Sequence, residues 1–108
     1  MRILIAEDDF ASRKVILKFL SVYGECDVTV DGMEAVDAFM MALEEDNPYD
    51  LICLDVMMPV MDGYQALKSI REIEKEHGLA VLSMLVALAL KVVDKKKGYG
   101  LEIANIQK

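Results

Sequence analysis

The chain has 108 residues, enough for one domain with a small core. Hydrophobic residues make up 55% and the mean hydropathy is +0.29, both high for a soluble domain. Nineteen acidic against twelve basic residues leave a net charge of −7, which argues against a nucleic-acid backbone as the direct ligand.

Ile3-Leu4-Ile5-Ala6 reads as a first strand, apolar on both faces as in a central parallel strand. Glu7-Asp8-Asp9 follows at once, so the apolar start is too short for a signal peptide. A first helix is expected from Ala11 or Ser12 to Tyr23. Its apolar residues Val15, Ile16, Phe19, Leu20 and Tyr23 fall at three- and four-residue steps, and Gly24 is a fitting stop. Cys26 to Val30 forms a short second strand. Asp31 and Glu34 have capping-box spacing and open a second helix with Ala35, Val36, Phe39, Met40 and Leu43 inward. Glu44-Glu45-Asp46 and Asn47-Pro48 end it.

Leu51 to Leu54 is a third apolar strand, and Asp55 stands where the run stops. Pro59 and Asp62-Gly63 mark a tight loop. Asp62 and Gln65 repeat the capping-box spacing, and the third helix carries Ala66, Leu67, Ile70 and Ile73 inward before ending near His77-Gly78. Three strand–helix units in series predict an α/β fold: an open parallel sheet with right-handed crossovers and helices on both faces. Cys26 and Cys53 are the only cysteines, and their spacing fits no zinc motif. Buried free thiols in a reducing, cytoplasmic setting are the expectation. His77, the only histidine, has no cysteine or histidine partner and reads as solvated.

Beyond Gly78 two readings stand. Leu79 to Leu85 is a fourth strand, or Leu79 to Val93 is one buried helix, because a uniformly apolar run has no periodicity to separate them. As a helix, the apolar Leu79–Leu90 stretch is too short to span a bilayer. Lys95-Lys96-Lys97-Gly98 reads as a turn or solvated helix end, and Tyr99 to Ile106 as a final strand.

In a doubly wound sheet the first and third strands are neighbours, so Asp8, Asp9 and Asp55 meet at their carboxyl ends, where such sheets bind ligands. A carboxylate pair about 5 Å apart repels by roughly 3 kcal/mol at an effective dielectric near 20. A hard divalent cation relieves this, and oxygen ligands suit Mg2+, with the Met57 backbone carbonyl as a further ligand. Three chemistries remain open: Asp55 as a nucleophile towards a phosphoryl group, metal-assisted attack by water, or an ion site without turnover.

Ile-Leu-Ile-Ala-Glu-Asp-Asp at the start, Asp31-Gly32-Met33-Glu34-Ala35, and Asp-Val-Met-Met-Pro-Val-Met-Asp-Gly-Tyr-Gln-Ala-Leu from Asp55 resemble a response-regulator receiver domain of two-component signalling. The resemblance runs to Gly78 and implies a flavodoxin-like receiver fold, altered or truncated at its C-terminal end. Residues 1–108 are expected to form one domain, with a receiver-like core over 1–78 and a divergent segment over 79–108. It further implies that Asp55 is the phospho-acceptor, that Asp8, Asp9, Asp55 and the Met57 carbonyl hold Mg2+, and that a histidine kinase supplies the phosphoryl group. Ser83 is the candidate for the family's switch hydroxyl at the end of strand four. No independent enzymatic activity is implied beyond Mg2+-dependent phosphorylation and dephosphorylation at Asp55.

The last quarter departs from the family. Pro48 and Pro59 are the only prolines, so the family's Lys-Pro pair is absent; Lys91, Lys95 to Lys97 and Lys108 are the substitutes on offer. A missing final helix would leave apolar surface uncovered, which suggests a homodimer, with C-terminal elements exchanged between chains as one form. The competing readings are a non-switching assembly module and a metal-dependent phosphohydrolase. The latter commonly has a second acid two residues after its nucleophile, where this chain has Met57. No residue names the downstream output partner, and neither direct nucleic-acid nor membrane binding is expected.

Overall fold

Strand and helix alternate through α3, and two further strands are described after it: β1 Arg2–Ala6, α1 Phe10–Leu20, β2 Glu25–Thr29, α2 Gly32–Glu44, β3 Leu51–Asp55, α3 Gly63–His77, β4 Leu82–Leu88 and β5 Leu101–Gln107. The computed structural model describes residues 1–78 in full and residues 82–88 and 101–107 as backbone strands. One five-stranded sheet runs in the order β2-β1-β3-β4-β5. The first four strands in that order pair in parallel, with Ile3 opposite Leu51 and Leu51 opposite Leu82.

Side chains alternate across the sheet, and each face has its own cover. Leu4, Ala6, Ile52 and Leu54 point to the face covered by Ala35, Phe39 and Ala42 of α2 and Ala66, Leu67 and Ile70 of α3. Ile3, Ile5, Leu51 and Cys53 point the other way, towards Ile16 of α1. Each large aliphatic or aromatic side chain fully removed from water contributes about 1.5–3 kcal/mol. Polar ends fix the helices in place. Asp62 and Gln65 form a reciprocal box: Gln65 N–H donates to Asp62 Oδ1 at 2.8 Å, and Asp62 N–H donates to Gln65 Oε1 at 3.0 Å. Asp31 accepts from Glu34 N–H at 2.8 Å. Gly78 closes α3 with φ of +65°, a conformation that costs a glycine little.

Several expectations need correction. Helix α1 starts at Phe10 and ends at Leu20, short of Gly24. Of its expected inward residues, Ile16 is buried, Val15 and Leu20 are half-buried, and Phe19 and Tyr23 are exposed. An early helix end leaves Tyr23 in the turn before β2, where it is exposed. Strand β4 is described over Leu82–Leu88: the expected fourth strand holds over residues 82–85, residues 79–81 lie outside the described residues, and one continuous helix through the stretch is decided against.

Strand β5 pairs with β4 antiparallel, with an irregularity between Leu85 and Val86. The parallel sheet expected from the strand–helix units is formed by β1 to β4, and β5 is a departure at the C-terminal end. Parallel strands need a long crossover, usually with a helix, whereas antiparallel neighbours need only a turn. Residues 89–100 are all that separates β4 from β5, and Lys91, Lys95 to Lys97 and Lys108 lie outside the described residues.

Candidate active site: an acidic cluster at the carboxyl end of the sheet

Strands β1 and β3 are hydrogen-bonded neighbours in the same direction, so their carboxyl ends open on one cleft. Glu7 and Asp8 leave β1 there, and Asp55 is the last residue of β3. One carboxylate oxygen from each of Glu7, Asp8 and Asp55 lies within 4.8 Å of the others. Glu7 and Asp55 are buried, and Asp8 is exposed. Two walls of the cleft are therefore fixed, and the third carboxylate reaches solvent.

Asp9, expected in this cluster, does different work. It is the N-cap of α1: its Oδ2 accepts from Ser12 N–H at 2.9 Å and from Ser12 Oγ at 2.8 Å. Glu7 takes its place in the cluster. The physical reason is the helix start. Once Phe10 is the first helical residue, Asp9 is the cap and its side chain turns to the helix amides. Ser12 three residues on was the available signal. Glu7 is held by its backbone N–H, which donates to the Thr29 carbonyl at 3.0 Å, and its Oε2 accepts from Asp9 N–H at 3.0 Å. Arg13 Nη1 donates to the carbonyls of Glu7 and Asp8, both at 3.1 Å, bracing the β1–α1 loop from outside.

Asp55 is set with equal care. Met57 N–H donates to its Oδ1 at 3.4 Å. Gly63 N–H donates to the Val56 carbonyl at 3.2 Å, and a Cβ on Gly63 would run into the Asp55 carbonyl carbon at 2.8 Å. A glycine here lets α3 begin directly against the end of β3. Neighbouring Cys53 registers the local charge. Burial first, then the charges of Asp55 and Glu7, push its thiol up to about 12. It therefore stays protonated and takes no nucleophilic part at neutral pH.

The remaining candidates are placed less centrally. The side chain of Met57 is exposed, while that of Met58 is buried in the core. Ser83 pairs with Ile52, near the start of β4, whereas the partner of Asp55 is Val86. The register thus puts Ser83 three pairs back from the cleft rather than at the strand's carboxyl end. His77 is exposed at the end of α3, with Nδ1 2.9 Å from the Ile73 carbonyl oxygen, as a solvated helix end allows.

The family model for the response regulator receiver domain matches residues 3–99. The chain belongs to this family. Among curated relatives of this receiver, the peroxide stress-activated histidine kinase mak1 of Schizosaccharomyces pombe is 43% identical over 76 residues, which cover 69% of this chain and 4% of the kinase. Histidine protein kinase 1 of Candida albicans is 38% identical over 104 residues, covering 90% of this chain and 4% of the kinase. The chain therefore spans a small part of the relatives it matches. Among solved structures, the receiver domain of the histidine kinase CKI1 from Arabidopsis thaliana, complexed with Mg2+ and BeF3−, superposes with a TM-score of 0.71 at 33% identity. That match covers 80% of this chain and 64% of that one. The receiver domain of Ssk1 from Saccharomyces cerevisiae, crystallised with the histidine phosphotransfer protein Ypd1, is also similar. That complex matches with a TM-score of 0.65 at 26% identity, covering 79% of this chain and 61% of that one.

Among the described residues, Glu7, Asp8 and Asp55 can hold a metal. Their oxygens are hard ligands, and three carboxylates with one open to solvent suit an octahedral cation that keeps several waters.

Proposed function

We propose that this receiver accepts a phosphoryl group on Asp55 from a phosphohistidine, with Mg2+ held by Glu7, Asp8 and Asp55. The observation that carries the reading is the meeting of those three carboxylates at the ends of β1 and β3. Bound Mg2+ would neutralise the repulsion between the phosphoryl oxygens and the cluster. Asp55 supplies the nucleophilic oxygen. The new oxygen–phosphorus bond forms in line as the phosphorus–nitrogen bond to the donor imidazole breaks, leaving an acyl phosphate on Asp55 and a histidine that takes up a proton. The hydrogen bond from Met57 N–H helps to hold the carboxylate in place for that attack. The backbone carbonyl of Met57 is the further metal ligand in this reading.

The donor's identity rests on the relatives. They are histidine kinases, and one solved neighbour stands with a histidine phosphotransfer protein. Cys26 and Cys53 as free thiols support a reducing, cytoplasmic setting. We also infer a homodimer, motivated by the apolar Leu79–Leu90 segment; light scattering at micromolar concentration should give twice the chain mass, and a monomer mass would count against it.

Incubation with a small-molecule phosphodonor and Mg2+, read by intact mass, tests the phospho-acceptor reading. The wild type should gain one phosphoryl mass. Chelation of Mg2+ or Asp55→Asn should abolish the gain. An adduct that persists in Asp55→Asn would reject Asp55 as the acceptor. A second reading, a metal-binding assembly module that does not switch, is favoured by the pairing of Ser83 with Ile52. It predicts that Mg2+ raises the melting midpoint while no adduct forms.

A further inference from the structure

Val60 has a φ of +67°. A β-branched residue in this left-handed region is strained and stays there only where its surroundings impose it. Its own packing does not, because Val60 is 74% exposed. The neighbours do. Met58 is buried in the core beneath α2 and α3, and Met61 packs against the same core. Met61 N–H donates to the Pro59 carbonyl at 2.7 Å, closing a three-residue turn around Val60. The Met61 carbonyl then accepts from Gly32 N–H at 3.0 Å, at the first residue of α2. Gly32 is buried, and a Cβ there would meet the Met61 carbonyl carbon at 2.9 Å. Only a residue without a side chain lets the loop and the helix approach this closely. At the other end of the same loop, Met57 N–H reaches Asp55 Oδ1.

We propose that Val60 is a positioning residue for the reaction at Asp55. Its left-handed turn fastens the outer limb of the β3–α3 loop to α2 through Gly32. That fastening sets the inner limb, with Met57, beside the phospho-acceptor. The inference rests on the reading of Asp55 as that acceptor. The strain is retained in an exposed side chain because the turn it permits buries Met58, lays Met61 against the core and makes the Gly32 bond.

Three single variants of the full chain and one double variant test this. Val60→Pro fixes φ near about −65° and forbids the turn. Gly32→Ala drives the Met61 carbonyl away from the other side. Val60→Gly keeps positive φ accessible. Amide exchange at residues 32 and 61, the melting midpoint, and the rate of Mg2+-dependent adduct formation at matched folded fraction are the readouts. Val60→Pro and Gly32→Ala should each lose protection at residue 32 and slow the adduct roughly tenfold. The double variant should be no slower than either single one, because both break the same fastening. Val60→Gly should stay within about twofold of wild type in both readouts. A Val60→Pro that loses protection yet reacts at the wild-type rate overturns the inference, as do two losses that multiply. A wild type that forms no adduct overturns the reading of Asp55 and this inference with it. An active wild type beside an equally active Val60→Pro overturns this inference alone.

Discussion

At the amino end of the sheet, Arg2 is met on several sides. Its guanidinium lies 4.4 Å from the centre of the Tyr49 ring, and its Nη2 is 2.9 Å from Asp27 Oδ2. Its Nη1 donates to the Asn47 carbonyl. Tyr49 donates its hydroxyl to the same Asp27 oxygen at 2.7 Å, Asp50 N–H donates to the Arg2 carbonyl at 2.8 Å, and Arg2 N–H donates to Asp50 Oδ2 at 2.8 Å. At the carboxyl end, three carboxylates gather within 4.8 Å. One end is tied by a cation to its acidic and aromatic partners, and the other gathers three carboxylates. The difference teaches where stability and chemistry are kept: the amino end ties β1, β2 and the approach to β3 together, which allows the other end of the same strands to hold like charges in register.

That contrast can be broken from either side. The largest effect is expected from Gly63→Ala. Its new Cβ must displace the end of β3 at Asp55 or the start of α3, so it should destabilise the fold by about 2–4 kcal/mol and slow phosphoryl uptake as well. Denaturant unfolding and adduct kinetics on one sample check both; an unchanged unfolding midpoint would show that the two elements are less tightly apposed than described. Arg2→Ala should cost about 1–2 kcal/mol, from the lost ion pair, ring contact and packing, while leaving adduct formation unchanged. A large loss of adduct in this variant would couple the two ends and break the contrast.

The smallest effect concerns pH. The folded pKa of Cys53 is raised, from 9.0 to about 12, so the folded protein holds that proton more tightly than the unfolded chain does. Its contribution to stability is complete below about pH 9 and is lost as pH rises from there through about 12. Unfolding free energy should fall across this window, and Cys53→Ala should flatten the fall. Equal slopes in the two proteins would mean that burial and the neighbouring carboxylates together do not hold the Cys53 proton.

The local half of the structure is legible in the chain. The alternation of apolar strands with amphipathic helices, the boxes at Asp31 and Asp62, and the position of Asp55 after Leu51–Leu54 all express short-range rules: side-chain periodicity, capping and strand length. Glu74 resisted such reading. It faces inward on α3 and is buried, with Arg71 Nη1 at 2.8 Å from both of its oxygens, and it is absent from the inward set Ala66, Leu67, Ile70 and Ile73 that periodicity picks out.

The sequence by itself determined the strand–helix order through Gly78, the family resemblance and the place of Asp55 at the end of the third strand. Tertiary structure alone decided which neighbours Asp55 has. Glu7, Asp8 and Asp9 are three acids in a row, and only the start of α1 at Phe10 sends Asp9 to the helix and leaves Glu7 and Asp8 with the cluster. The same holds for Ser83, whose distance from the cleft depends on the register of β4 against β3, and for β5, whose direction depends on the connection that brings it to the sheet. Register, helix start and strand direction are settled by contacts between segments far apart in the chain, and a uniformly apolar or uniformly acidic run carries no local mark of them.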